Sequence, residues 1–555
     1  MAVVSKQDAA RFETTKRLLT GLVNEGLAHA AINGQTLRLT GPTADEKYIT
    51  VSLKTVPANF AGFIRPEMMQ QPVMLGNGAS EYPELDPGAI FLFATPWFAQ
   101  DIDDEAKERV SKELSNSALF QEKWLELCAA NKPLSIKSSF MDWEQSVVYG
   151  HPIHPLHRSC FALPPLSPVS PNDIPELLRP SVSIISVPRN AVIITGPFEK
   201  MMKPLMRKLD IPAIADDRAA LICFTRQLPS IHARFSDVQI LKQVGDQFEA
   251  QCSIRSLSTI PELQFPYQIK LPLAVQITSA IRTITPWTAS TSPIITKILD
   301  ELEPQLPESL WLFREEAAFC GSQSDFDDAK HLSCILRDDL EPKAAANGES
   351  LIIATSLFEQ QPGDRKTRAE VVFNLDTEEQ RLAWFKSYVR SLFKTVLLPA
   401  ITLGIAFEAH QQNSVLRVCK TTGEIKGFAI RDYGGIRMHR PTLTKHNIAM
   451  DWEQPGGIMI TDDIGYIWDN LHHALISNHI AHLVYSLRVD ALGGWGIVRD
   501  EISALLGGYA AGSLGNQLLT FLLRDKMNLK CFLRMRFQSV YRSNVEKEVK
   551  NILYS

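Results

Sequence analysis

The chain has 555 residues, 45% hydrophobic and 21% charged, a length that predicts three or four folding units of about 150 residues and excludes a single small domain. With 57 Lys and Arg against 62 Asp and Glu the net charge is -5, so no basic nucleic-acid surface and no acidic solvating tail is expected. The eight cysteines stand singly, without a C-x-x-C pair or zinc-type spacing, as in a reduced cytoplasmic chain whose partner is a small molecule or another protein.

In chain order, the opening MAVVSKQDAARFETTKRLL carries charges every few residues, where a secretory signal has an unbroken apolar core. Apolar periodicity predicts helices over 8–30 and 104–130, and alternation predicts short strands at TLRLTG and KYITVSL. Between His151 and Pro180 stand eight of the 33 prolines, which forbid a long helix and force an extended or turning path. SVSIISVPRNAVIITG (181–196) places two apolar runs around Pro188-Arg189-Asn190 and reads as a hairpin. Strand-like segments follow from about 220 to 285. From about 380 apolar residues recur at helical spacing until Pro399, expected to stop the run. VLRVCKTTGEIKGFAIRD (415–432) predicts a hairpin turning at Thr422-Gly423. Helices dominate from 465, and the uncharged stretch between Glu501 and Arg524, broken by four glycines, predicts a buried helix–turn–helix and no membrane span. The fold class expected is α+β with antiparallel sheets.

The common nucleotide and hydrolase signatures are missing: no P-loop, no G-x-G-x-x-G after a strand, no H-E-x-x-H, no G-x-S-x-G. Three other constellations remain. Glu408-Ala-His410-Gln-Gln412-Asn413 lies about twenty residues before Asp432, with a hairpin between them. An amide and a carboxylate so joined can converge on one Mg²⁺, as in protein kinases; the plainer reading is a helix end capped by Asn413 and a solvated turn at Asp432. In His151-Pro-Ile-His154-Pro-Leu-His157-Arg158 the His-Pro steps keep the backbone extended, so the imidazoles and Arg158 suit an anionic substrate, or else the histidines pack in an ordered loop. Lys270 and Thr278-Ser279-Ala-Ile-Arg282-Thr283 suit a triphosphate through hydroxyls and a guanidinium, a composition that surface strands also show. The C-terminal histidines 472, 473, 479 and 482, with apolar neighbours, read as core and surface residues of a helix. Lys530 and its basic neighbours up to Arg536 leave both a plain and an anion-binding reading open.

Taken together and in order, HPIHPLHRSCFAL, KLPLAVQITSAIRT, GIAFEAHQQN and RDYGG resemble the motifs of the siderophore synthetases that work independently of nonribosomal peptide synthetases, the family of the aerobactin and achromobactin synthetases. The resemblance spans about residues 145 to 540. Arg158 stands where the family usually has Lys, Cys160 where it has Arg, and Ala162-Leu163 where it has Gly-Phe, which puts this loop's substrate contacts in question. The resemblance implies a cupped hand of thumb (1–136), fingers (137–370) and palm (371–555). It also implies the reaction: ATP and Mg²⁺ adenylate a carboxylate of citrate, an amine attacks, and AMP and pyrophosphate leave. Lys270, Ser279, Arg282, Thr283 and Gln412 would bind ATP; Glu408, Asn413 and Asp432 would hold Mg²⁺; His151, His154 and His410 would meet the acid. His154, Arg158 and His410 would be catalytic. The amine could be a diamine such as putrescine, giving rhizoferrin. A homodimer without nucleic-acid or membrane partners is expected. The alternatives are a kinase-like phosphotransferase using Asn413 and Asp432, a synthetase acting on another polycarboxylic acid or a citrate monoamide, and a non-catalytic scaffold.

Overall fold

The computed structural model describes residues 5–42, 46–54, 56, 63–128, 133–360, 364–453, 457–540 and 545–554; the last two positions of the helix expected over 104–130 lie outside the described residues. The Ser5 hydroxyl accepts the Asp8 amide and starts helix Lys6–Asn24, satisfying one of the first-turn N–H groups. Leu18, Leu19 and Leu22 share an apolar core with Val110 and Leu114 of helix Asp104–Cys128. The same core includes residues of a five-stranded antiparallel sheet, in which Thr36–Thr40 and Tyr48–Leu53 are adjacent strands as their alternation predicts.

A second core joins a six-stranded and a three-stranded sheet. Here the expected hairpin over 181–196 is corrected. Strand Val182–Pro188 pairs with Gln239–Val244 and Arg218–Phe224, whereas Val192–Thr195 pairs with Glu315–Gly321 in another sheet. Two apolar runs around a turn specify strands but not partners, and the single turn Arg189–Ala191 hands the chain from one sheet to the next.

The third core is built on the hairpin Ser414–Cys419/Ile425–Ile430, which turns where predicted, with Gly423 at φ 73°, a conformation glycine adopts without strain. Helix Glu378–Thr402 packs beside it, and Pro399 lies inside its last turn instead of ending it. A proline there removes one N–H, and burial of Val396, Leu397, Ala400 and Ile401 holds the turn. Strand Glu349–Ile353 precedes the boundary expected near 370 yet pairs with Ser414–Cys419, so this core draws on residues from before it. Gly494–Leu506 and Leu514–Leu522 form the predicted helix–turn–helix, but it is amphipathic and not buried throughout: Ile502, Leu506, Leu518 and Leu522 face the core while the turn 507–512 is exposed. Among the described residues no helix is long and apolar enough to cross a membrane. The chain is thus α+β, its sheets mainly antiparallel and its C-terminal region mainly helical.

Two long-range links bring the motif segments together. Strand Cys160–Ala162, directly after the His-Pro loop, pairs with Val275–Ile277, which turns at Thr278-Ser279 into Ala280–Ile281. At the far end of the chain the buried Glu25 carboxylate accepts the amides of Leu533 and Arg534, each at 2.9 Å. This docks helix Phe532–Phe537 against the N-terminal core, through Leu533 and Phe537, and carries Lys530 and Phe532 toward the same loop.

Candidate active site

The motif segments converge on one cavity of about 960 Å³, lined among others by His151, Arg158, Arg282, Thr283, Glu408, His410 and Gln412. Of the expected site residues, Lys270, Ser279, Asn413, Asp432 and His154 are not among its lining.

The His-Pro loop fixes its own imidazoles. His151 Nδ1 accepts the amides of Ile153 (3.3 Å) and His154 (3.1 Å), and His154 Nδ1 accepts that of Leu156 (3.0 Å). An imidazole nitrogen that accepts from an amide carries no proton, so the neutral ring is protonated on Nε2. The His154 Nε2–H therefore donates to Ser279 Oγ at 2.7 Å, which leaves the Ser279 hydroxyl proton to turn elsewhere. His410 follows the same rule, its Nδ1 accepting the Gln412 amide at 3.2 Å. Burial keeps these rings uncharged: it pushes His154 down to about 3, helped by Arg536, Lys530 and Arg282, and lowers His151 well below its ordinary value. In His410 burial again dominates, against the opposing pull of Glu408 and Asp432. His151 and His410 thus present neutral N–H donors to the cavity, suited to carboxylate or phosphate oxygens. His157 differs, pinned between the Tyr149 carbonyl (2.6 Å) and Thr14 Oγ1 (3.1 Å).

Arg158 is buried and spends Nε and Nη2 on the carbonyls of Val148 (2.8 Å) and Val147 (2.6 Å), with its guanidinium 4.2 Å from the Trp124 ring. It lines the cavity as an anchored cation. Cys160, where the resemblance calls for arginine, is buried with its thiol pushed up to about 12 by burial. Arg437 and Lys530 are further cations that line the cavity. Arg282 sends Nη2 to the Ile277 carbonyl at 3.3 Å, and the Thr283 carbonyl accepts from Arg255 at 2.7 Å, so the Ser279–Thr283 segment is braced from both sides.

The Glu408–Asn413 turn is held from below. His479, within the π-helical stretch His472–Ile480, donates from Nδ1 to the Ala409 carbonyl at 2.9 Å while Nε2 accepts from Tyr388 Oη at 2.7 Å. Asn413 Nδ2 donates to the Glu408 carbonyl at 3.3 Å, and Gln412 Nε2 reaches Cys252 Sγ at 3.4 Å. Arg431 bonds the Gln412 carbonyl (3.0 Å) and forms a buried ion pair with Glu144. The next residue, Asp432, has φ 70°, a left-handed conformation that Asp tolerates better than most residues, and its Oδ1 accepts from Lys270 Nζ at 2.7 Å. Burial alone would raise the Asp432 carboxyl, but Lys270 and, farther off, Arg255 and Arg337 hold it well below the usual carboxylate range.

Glu408 and Asp432 meet at the Gly434-Gly435 backbone. A Cβ built on Gly435 would lie 2.0 Å from Glu408 Oε2, and one on Gly434 3.6 Å from Asp432 Oδ1. Glu408 faces the cavity and makes no hydrogen bond or ion pair through its carboxylate among the described residues. Among the described residues no three His, Cys, Asp or Glu side chains cluster to hold a metal by themselves. Two carboxylates and an amide oxygen fit a hard cation that completes its shell with water and phosphate oxygens, the habit of Mg²⁺.

Several cavity residues carry no readable motif. His473, Arg437, Lys530 and Phe532 line it, and the Phe532 ring lies 4.6 Å from that of His154. Of the C-terminal histidines, His472, His479 and His482 are buried, as the core reading expects, and His473 reaches the cavity. The one local sign is the π-helix, a backbone form frequent at functional sites and invisible in the apolar pattern.

Residues 229–359 match the model of the IucA / IucC family, and residues 382–543 that of the ferric iron reductase FhuF-like transporters. The NRPS-independent siderophore synthetase-like protein ankE of Aspergillus thermomutatus is 40% identical, over 97% of this chain and 92% of its own. The NRPS-independent siderophore synthetase rfs of Rhizopus delemar is 32% identical, over 82% and 73%. At 23% identity, L-2,3-diaminopropanoate–citrate ligase of Staphylococcus aureus aligns over 63% of each chain. The ATP-bound aerobactin synthetase IucA of Klebsiella pneumoniae superposes with a TM-score of 0.78 at 14% identity, covering 98% of this chain and 99% of the other.

Proposed function

We propose, for a chain that belongs to the IucA / IucC family of siderophore synthetases and is a ligase, that it joins a carboxyl group of citrate to an amine, with cleavage of ATP to AMP and pyrophosphate. The observation that carries this reading is the convergence of the neutral imidazoles of His151 and His410, the guanidinium groups of Arg158 and Arg282 and the Glu408 carboxylate on one cavity. Citrate and a triphosphate together bring about seven negative charges near neutral pH, which need clustered donors and a divalent cation.

In this reading Ser279, Arg282 and Thr283 take the phosphates, with Gln412 beside them, and Glu408, Asn413 and Asp432 hold Mg²⁺, which supplies charge neutralisation at the phosphates. His151, Arg158 and His410 take citrate carboxylates, and His154 orients Ser279 from behind. The histidines act as donors; with Nδ1 committed to backbone amides they are not poised as general bases, so the amine needs to arrive uncharged, and the proton it loses after attack leaves with the AMP phosphate or to water. No protein nucleophile is required, because orientation of two bound substrates supplies much of the rate. Lys270 serves Asp432 and not a phosphate in this arrangement. The amine is a diamine such as putrescine, whose condensation with two citrates gives rhizoferrin.

The test is product analysis with citrate, ATP and a panel of amines. AMP and pyrophosphate with a citryl amide support the proposal. ADP with a phosphorylated product selects the phosphotransferase that the Asn413–Asp432 spacing also allows.

A further inference from the structure

Glu315 is the least satisfied charged group in the described part of the molecule. It opens strand Glu315–Gly321, is 0% exposed, and neither carboxylate oxygen has a hydrogen-bond donor among the described residues. A buried carboxylate left so is strongly disfavoured unless a cation comes to it. Its backbone is fixed, the amide and carbonyl both bonding Thr296 Oγ1 at 3.0 and 2.9 Å. Arg337 stands across the strand pair, but aims Nε and Nη2 at Gln268 and Gln251. The nearest mobile cation is Lys270, whose Nζ is 3.8 Å from Glu315 Oε1 and 2.7 Å from Asp432 Oδ1.

We infer that Glu315 is a second seat for Lys270: when a divalent cation takes Asp432, the ammonium leaves that carboxylate for Glu315. The inference rests on the proposed reading of Asp432 as a metal ligand. A move of about 1 Å brings Nζ within hydrogen-bond reach of Glu315, and a four-carbon stem with three donors makes such a move without disturbing the strand. Two cations cannot share Asp432 at close range in a low-dielectric setting. Without Glu315 the displaced ammonium would be a buried charge with no acceptor, so it would stay and compete with the metal. The surrounding network sets Lys270, Arg255, Arg337 and Arg431 against Glu144, Glu315 and Asp432, so no carboxylate in it is dispensable. Glu315 is therefore a positioning residue that acts through Lys270.

The test is a crystal structure of the full chain with Mn²⁺ and an ATP analogue carrying a non-cleavable α,β bridge, together with Mn²⁺ titrations of variants followed by electron paramagnetic resonance. In the loaded crystal, Lys270 Nζ is expected within hydrogen-bond distance of Glu315 and away from Asp432. In solution, E315Q is expected to weaken Mn²⁺ binding about tenfold, and the same substitution in a K270M background to change nothing further. A metal on Asp432 with Lys270 still beside it overturns the swing alone. A metal bound away from Asp432 overturns both the swing and the metal site on which it rests. Additive effects of E315Q and K270M also overturn it, and should E315Q not fold, the wild-type crystal decides.

Discussion

Replacing Gly435 by alanine sets the carboxylate pair against a single methyl group. The new Cβ would stand 2.0 Å from Glu408 Oε2 and 2.7 Å from both Cβ and Cδ of the same side chain, where ordinary contact begins at 3.4 Å. The Glu408 carboxylate must therefore retreat by about 1.4 Å, which its exposure to the cavity allows, but Glu408 Cβ is fixed to its backbone and must shift by about 0.7 Å with it, at a stability cost of about 1–3 kcal/mol. Displacement of a ligand or orienting group by about 1 Å costs on the order of 10²-fold in rate. Gly435→Ala is expected to fold, to lose about 100-fold in citrate-dependent pyrophosphate release, and to need more Mg²⁺ for half its activity. Gly434→Ala is the control: its Cβ meets only Thr288 Cγ2 at 3.3 Å and Asp432 Oδ1 at 3.6 Å, and a few-fold effect is expected. Pyrophosphate release by Gly435→Ala at the wild-type rate and Mg²⁺ midpoint would refute the placement of Glu408 in the site.

Glu144→Ala strands the Arg431 guanidinium as a buried charge and frees the Cys252 amide that Glu144 also accepts at 3.1 Å. A loss of about 3–5 kcal/mol in denaturant unfolding is expected, and a loss below about 1 kcal/mol would contradict the assignment. The buried histidines make stability fall with acid: burial holds His154, His473 and His479 down to about 3, and His472 and His482 to about 4. The unfolded chain binds protons there from pH 6.5 downward that the folded chain refuses, so stability is complete above 6.5 and is lost as pH falls toward 3. Glu25 and Asp338, raised to about 7 by burial, act in the opposite sense but are outnumbered. Thermal melts should thus fall steadily below pH 6.5, and a midpoint constant from pH 7 to 5 would contradict the burial of these rings. His479→Phe keeps the core filled but leaves both the Ala409 carbonyl and the buried Tyr388 hydroxyl without a partner, and should raise the KM for ATP or citrate by several-fold with a stability loss of about 1–3 kcal/mol; an unchanged KM would show that the anchor is dispensable.

Much of the site was legible because its chemistry is concentrated in short runs. The Glu408–Asn413 turn and Asp432 flank a hairpin whose turn at Thr422-Gly423 the sequence predicts, and that hairpin returns Asp432 to the side of Asn413. The His-Pro loop was legible as a non-helical segment, because proline restricts the residues before it, but it bends and turns instead of running extended, each imidazole Nδ1 of His151 and His154 taking the amides that follow it. What could not be read is partnership over distance. Nothing in residues 181–196 says that its two strands enter different sheets. Phe532 reaches the cavity because Glu25, more than 500 positions earlier, caps its helix, and Lys530 arrives there at the end of the strand just before it. Lys270 looked like a phosphate ligand because a lysine at a strand end is accessible by default; its burial against Asp432 and Glu315 depends on two segments remote in sequence.

The central claim is that a citrate carboxylate attacks the α-phosphate of ATP. Citrate labelled with ¹⁸O in its carboxylates, incubated with ATP, Mg²⁺ and an accepted amine, tests it by mass spectrometry of the nucleotide. Transfer of one ¹⁸O to AMP with each amide formed is the predicted result. Unlabelled AMP, or label appearing in inorganic phosphate alongside ADP, would contradict it.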